Sequence, residues 1–256
     1  MRVGLTYDLR SEYLAAGYSH EETAEFDRDD TIDSIESSLR GLGHDTVRIG
    51  NIRSLVGRLA AGDRWDMVFN ICEGMHGLAR EAQVPALLEA YGIPCTFSDS
   101  FVLALTMHKG CTKTVIKSLN LPTPDFAVAN SPADVEGIKL PFPLFVKPVA
   151  EGTGKGVSAD SKVGSMDDLR ERVASVIKTY RQPALVETFM PGREYTVGIV
   201  GTGDEAEAVG TVEVVLKGDV GNEAYSYQKK EECEDLVLYI LAEDAAAREC
   251  EKLSLK

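Results

Sequence analysis

Residues 142–158 read Phe-Pro-Leu-Phe-Val-Lys-Pro-Val-Ala-Glu-Gly-Thr-Gly-Lys-Gly-Val-Ser. An apolar run from Phe142 to Val146 ends on Lys147 and Pro148, a glycine-and-lysine loop follows, and the chain then reads as strand again. Gly152, Gly154 and Gly156 let backbone N–H groups approach an anion closely, and Lys147 and Lys155 supply positive charge. The pattern suggests phosphate binding. It is not a Walker loop: Lys155 is followed by Gly156, position 149 is valine where that motif has its first glycine, and no helix follows directly. The next helix is signalled only at Ser165, with Asp168 three residues on and Leu169, Val173, Val176 and Ile177 at helical spacing. The loop therefore joins two strands, as a flap would. A plain solvated hairpin turn would have the same local pattern, so the surrounding residues must decide.

Upstream, strand and helix signals alternate. Val3–Tyr7 reads as a strand, Thr31–Leu42 as a helix stopped by Gly43, and Asp45–Ile49 as a second strand. A polar helix around Ile52–Ala61, a strand Trp65–Asn70, a helix Val84–Tyr91 stopped by Gly92 and a short strand Ile93–Phe97 complete the series. This order predicts a parallel sheet covered on both faces, with ligands at the carboxyl ends of its strands, where Asn70–Gly77 lies. Residues 10–30 are charged without clean periodicity and are expected to be a mobile or partly helical excursion.

From Ser98 the texture changes. One helix is expected through Val102–Leu119, then a break at Asn120–Pro124 and a strand Asp125–Ala129. Further strands are expected at 144–147 and 184–188. Tyr195–Val200 should pair with Ala208–Val215 across Gly201–Asp204. Ala242–Lys256 reads as a helix.

Composition excludes some classes. With 27 basic and 41 acidic residues the net charge is −14, which opposes non-specific attraction to nucleic acid or anionic membrane. No apolar run reaches membrane-spanning length and no signal-peptide pattern opens the chain, so a cytoplasmic protein is expected. Cys72, Cys95, Cys111, Cys233 and Cys250 are scattered and odd in number, suggesting neither zinc site nor disulfide framework. Most are expected to be small buried hydrophobes. The four histidines form no ligand pattern.

Several motifs recur in order: Asn70-Ile71-Cys72-Glu73-Gly74, Arg80–Pro85, Gly92-Ile93-Pro94, Lys109 with Lys113, Leu121-Pro122-Thr123-Pro124, Phe145-Val146-Lys147-Pro148, the Glu151–Gly156 loop, and Glu187-Thr188-Phe189-Met190-Pro191-Gly192-Arg193-Glu194. Together they resemble the D-alanine–D-alanine ligase branch of the ATP-grasp superfamily over nearly the whole chain. The resemblance implies an α/β N-terminal parallel-sheet domain (pre-ATP-grasp, Rossmann-like) over 1–97. An α+β ATP-grasp domain would follow, as a small subdomain over 98–187 and an incomplete large one over 188–256. It implies ATP and Mg2+, an amino-acid substrate joined to an amine through an acyl phosphate, and a homodimer as one assembly open to the chain. Lys109 and Lys147 would contact the nucleotide phosphates. Glu151, Gly152, Thr153, Gly154, Lys155 and Gly156 would form the flap over them, Thr153 also touching substrate. Glu187, Thr188 and Phe189 would read the adenine edge through backbone groups, Glu194 would take the ribose hydroxyls, and Lys230 would sit on a covering loop. Glu73 would bind a substrate amine, although a carboxylate solvating a strand-end loop is an equal reading.

The sequence departs from the family pattern where substrate is chosen. Asn70–Gly77 reads NICEGMHG where a His-Gly is usual, Arg80-Glu81 stands for an acidic pair, Thr153-Gly154 replaces a serine pair, and Glu231 stands for a tyrosine. The family's metal-binding Asp and Glu-x-Asn, and its phosphoryl-stabilising arginine, would fall beyond residue 256. The sequence thus predicts an unpaired edge on the 195–215 hairpin and a last helix without a partner for its apolar stripe. It also keeps open a second class, a nucleotide-binding or regulatory module or remnant without turnover. A dehydrogenase is excluded by Asp8-Leu9-Arg10, which stands where a G-x-G-x-x-G would follow the first strand.

Overall fold

The computed structural model describes residues 1–216 and 237–256, which form two compact units. Unit 1 comprises Met1–Thr112 together with Ala150–Lys155; unit 2 comprises Lys113–Val149 and the remainder.

In unit 1, β1 (Arg2–Tyr7) lies between β2 (Asp45–Gly50) and β3 (Met67–Ile71) in a parallel sheet of order β2-β1-β3. Residues 3–6 are all buried, as expected for a strand covered on both faces. α1 (Arg10–Ala15), α2 (Asp29–Gly41), α3 (Ile52–Ala60) and α4 (Gln83–Ala90) follow in chain order between and after the strands. Asn51 caps α3 by accepting from the N–H groups of Arg53 and Ser54. Leu55, Leu59, Trp65, Val68, Val84, Leu88 and Ile93 fill the core.

Two expectations for this unit change, and one is sharpened. Residues 10–30 are partly helical, as expected, through α1, and their end is packed: Leu9 and Asp27 bridge the excursion, Thr23, Ala24 and Phe26 are buried, and the Tyr13 ring lies 4.5 Å from that of Phe26. Ile93–Phe97 is a single bridge from Cys95 to Val68 and not a strand, because Phe97 turns the chain at a φ of 69°. The long helix divides into α5 (Ser100–Met107) and α6 (Lys109–Ser118). His108 is extended between them, and its Nδ1 accepts the Cys111 N–H, starting the new helix.

Unit 2 holds two antiparallel sheets. β4 (Phe126–Ala129), β5 (Leu144–Pro148), β6 (Lys162–Val163) and β7 (Ala184–Thr188) take the order β4-β7-β5-β6. α7 (Met166–Tyr180), capped by Ser165 as its sequence predicts, lays Leu169, Val173 and Val176 against Leu144, Val146 and Val186. β8 (Glu194–Val200) and β9 (Glu207–Leu216) form the expected hairpin, with a register shift after Gly198. Part of the predicted bare edge is occupied, since β10 (Val237–Leu241) pairs with Val212–Leu216 of β9, while β8 stays an edge of this sheet among the described residues. The final helix α8 (Ala245–Ser254) also has a partner, since Ala247 is buried and Glu251 accepts from the Thr211 hydroxyl of β9. Of the four described cysteines only Cys72 is buried, so the expectation for most of them fails.

Candidate functional site

In unit 1 the glycine loop is held by a buried ionic cluster. The short 3-10 turn Arg80–Ala82, just before α4, places the Arg80 guanidinium 2.6 Å from Glu25 Oε2 and 3.4 Å from Glu151 Oε2, and it donates to the Ala150 carbonyl at 2.7 Å. Glu25 also accepts the Gly152 N–H, Lys109 donates to the Glu151 carbonyl, and Lys155 lies 3.0 Å from the Glu151 carboxylate. Within the loop the Lys155 N–H donates to the Gly152 carbonyl at 2.9 Å, while Thr153 and Gly154 have φ of 51° and 78°. Positive φ at both central residues defines a type I′ turn, a conformation that suits Gly154 and strains the β-branched Thr153. The structure thus brings Lys109, Glu151, Gly152, Thr153, Gly154 and Lys155 together.

The cluster's electrostatics set one carboxyl apart. Burial first, then the charges of Glu81 and Glu25, push the Glu73 carboxyl up to about 8 against the opposing pull of Arg80. Glu81, to which Glu73 hydrogen-bonds, is raised as well, by burial. Glu73 is thus the carboxyl of this cluster whose surroundings most favour its neutral form. Asp27 is likewise raised, to about 6, by burial and by Asp8. A carboxyl raised in the folded state contributes stability that is complete below its unfolded pKa and is lost as pH rises through the folded one. Thermal melting should therefore show stability falling between about pH 4 and pH 8, and Glu73→Gln, which keeps the neutral form, should flatten the upper part of that decline. An unchanged profile in Glu73→Gln would remove Glu73 as its source.

Two members were not singled out as binding residues from sequence. Glu25 lies in a stretch without periodicity, 127 positions from its partner Gly152. Arg80 stood out only as a departure from an acidic pair. Nearby, Asp8 fixes the end of β3 by accepting from the Gly74 N–H at 2.8 Å and the Tyr13 hydroxyl at 2.6 Å.

Unit 2 carries a second arrangement. Glu187, buried near the end of β7, accepts Lys147 of β5 at 2.6 Å and Lys113 of α6 at 2.9 Å. Burial alone would raise the Glu187 carboxyl, but Lys147 and then Lys113 hold it below its ordinary range. Lys147 lies over the Phe145 ring and Lys162 over the Phe189 ring, 5.7 and 4.3 Å from their centroids, and the two rings are 6.2 Å apart. The N–H groups of Thr188 and Phe189 donate to the Asp125 and Pro143 carbonyls. Glu194 is exposed at the start of β8. Gly156 follows the flap, and its carbonyl accepts Arg172 at 2.6 Å. Lys230 lies outside the described residues. Among the described residues no three His, Cys, Asp or Glu side chains converge as a metal site.

Comparison with known proteins accords with this architecture. Residues 115–256 match the family model described as D-ala D-ala ligase C-terminus. A D-alanine–D-alanine ligase from Aquifex aeolicus is 32% identical over 224 residues, covering 87% of this chain and 72% of the relative. The crystal structure of a Bacillus anthracis D-alanine–D-alanine ligase superposes with a TM-score of 0.67 at 18% identity, over all of this chain and 77% of that one. Its complex with ATP gives 0.66 at the same identity, over 100% and 75%.

Proposed function

The chain belongs to the D-alanine–D-alanine ligase family, and from that membership we propose that it is an ATP-dependent carboxylate–amine ligase acting on an amino acid. In this reaction the γ-phosphoryl group of ATP passes to the substrate carboxylate, giving an acyl phosphate and ADP. The amine then attacks the acyl carbon: the C–N bond forms, the C–O bond to phosphate breaks, and the amine loses a proton. Phosphoryl transfer needs positioning and stabilisation of charge more than covalent help from the protein.

The roles divide by residue. Lys147 and Lys109 contribute positive charge toward phosphate oxygens, and the Gly152–Gly156 backbone contributes N–H donors. Glu187 fixes the Lys147 ammonium, while Phe145 and Phe189 offer faces for a base. With the Thr188 and Phe189 N–H groups already bonded to carbonyls, the carbonyls of this stretch are its share in reading the base. Glu194 is suited to ribose hydroxyls because a carboxylate accepts from both. Glu73 is assigned to a substrate amine, and Glu25, which accepts the Gly152 N–H, is a second carboxyl of the same cluster suited to that role. Since no metal-ligating cluster occurs among the described residues, no step is assigned to Mg2+.

The observation that carries this reading is Lys147. A lysine ending an apolar strand, held at 2.6 Å on a buried carboxylate that a second lysine also holds, is poorly explained by solubility. Calorimetric titration with a non-hydrolysable ATP analogue tests it. Lys147→Ala should weaken binding by roughly 10–100-fold, the loss of one charge-assisted hydrogen bond, while Lys113 keeps Glu187 paired and the fold intact. Equal affinity in variant and parent would sink the assignment. Phosphate release that requires both ATP and an amino acid tests the reaction itself.

A further inference from the structure

We propose that Arg172 of α7 is a positioning residue for the phosphate-binding loop, fixing the Gly156–Val157 peptide so that the Val157 N–H joins the donors the loop offers a phosphate; the inference rests on the nucleotide reading above. One nitrogen of the guanidinium, Nη2, donates to acceptors at both ends of the chain that leaves the loop, the Gly156 carbonyl at 2.6 Å and the Ser161 hydroxyl at 3.0 Å. Ser161 is fully buried, and its Oγ also accepts the Ser158 N–H at 3.0 Å, so the turn after the loop is tied to the same point. Gly156 itself, at a φ of 77°, leaves no room for a side chain against Pro148 and the Tyr180 ring of the same helix. Residues 156–161 are thus seated on α7 at both ends by one side chain.

The seat sets a direction. The Gly156–Val157 peptide is trans, and a trans peptide points its C=O and N–H to opposite sides. With the Gly156 oxygen drawn to Arg172, the Val157 N–H is turned away from the guanidinium, and it has no hydrogen-bond partner among the described residues. A cation at the oxygen end also polarises the peptide and strengthens the donor at its nitrogen end. A cation is more than the seat requires, because both acceptors are neutral. Arg170, two residues earlier on the same helix, places its charge on Glu136 and Asp167. Arg172 forms no ion pair among the described residues, its Nε is buried without a partner, and burial pushes its pKa down. A charge held in that way lowers stability until an opposite charge comes near. An anion received by the loop N–H groups, on the far side of the peptide that Arg172 holds, supplies that charge.

Val157 gives a local readout. In protein labelled with 15N-valine, the Val157 amide resonance, identified by its loss in Val157→Ile, should move saturably on addition of tripolyphosphate and stay in place on addition of adenosine. Calorimetric titration of Arg172→Ala should show binding of tripolyphosphate and of a non-hydrolysable ATP analogue weakened about tenfold, with adenosine binding unchanged. General damage to the fold would not give that split. Arg172→Lys keeps the charge without the planar donor fork, so it should lose about threefold toward tripolyphosphate, and it carries the test if the alanine variant does not fold. Full tripolyphosphate affinity in a folded variant, equal losses for tripolyphosphate and adenosine, or a Val157 amide that does not respond would each overturn the inference. If Lys147→Ala weakens ATP-analogue binding while Arg172→Ala keeps it in full, this inference fails and the ligase reading stands. Parent protein that binds neither tripolyphosphate nor the analogue removes both.

Discussion

Arg80→Ala should destabilise the protein by about 3–5 kcal/mol, the usual cost of removing one partner from a buried ion pair. The magnitude follows from what is left behind. Arg80, Glu25 and Glu151 are all nearly inaccessible, with side-chain exposures of 6%, 2% and 9%. Without the guanidinium, Glu25 keeps only the Gly152 N–H, the Ala150 carbonyl loses its donor, and two carboxylates remain buried with Lys155 as the main compensation. Raising the acids' proton affinity is the cheapest response, so the variant should also be least stable at high pH. Denaturant unfolding measures the loss directly, and a melt should register roughly 2–4 °C per kcal/mol for a chain of this size. A loss below about 1 kcal/mol would mean that water reaches the cluster and that the ion pairs are worth only what surface pairs are. Adding Glu25→Ala should recover part of the loss, because the second change removes the charge the first one stranded.

That cluster also marks the limit of what the sequence conveys. The Ser165 cap and the Leu169, Val173 and Val176 stripe are local, as is the 194–216 hairpin, and each is legible in a window of some twenty residues. The apolar run ending on Lys147 announces an unusual lysine, and Glu187 is recognisable by its motif. What no window contains is that these two residues and Lys113 meet. Glu25 is harder still: nothing in Glu21-Glu22-Thr23-Ala24-Glu25 separates the one carboxylate that holds the loop from its exposed neighbours. The break falls on His108 and not on Gly110 two residues later, since the cap is made by an imidazole nitrogen. Val237–Leu241 lacks the alternation of a half-buried strand, and only its pairing with β9 identifies it as one.

Gly156→Ala should be a strongly damaging single-methyl change in unit 2. At a φ of 77° any L-residue carries about 1–3 kcal/mol of backbone strain. The added methyl would also stand 2.5 Å from Pro148 Cγ, 2.7 Å from Pro148 Cδ and 3.0 Å from Tyr180 Cζ. These atoms cannot swing aside: Pro148 is a ring locked into β5, and Tyr180 closes α7 against the same sheet. Overpacking of that kind costs a further 1–3 kcal/mol, roughly. Gly62→Ala is the control, since Gly62 also has positive φ, at 93°, but nothing within 4 Å of an added methyl. It should show the backbone cost alone, and the difference between the two variants isolates the contact. If the two lose equal stability, the Pro148 ring and the loop beyond it yield easily. If Gly156→Ala loses more, the exit from the flap is rigidly seated, with its carbonyl held by Arg172. In that case affinity for the ATP analogue should fall as well, because the methyl displaces the segment that presents the loop's N–H groups. Stability and affinity falling together in Gly156→Ala, with affinity unchanged in Gly62→Ala, is the expected result.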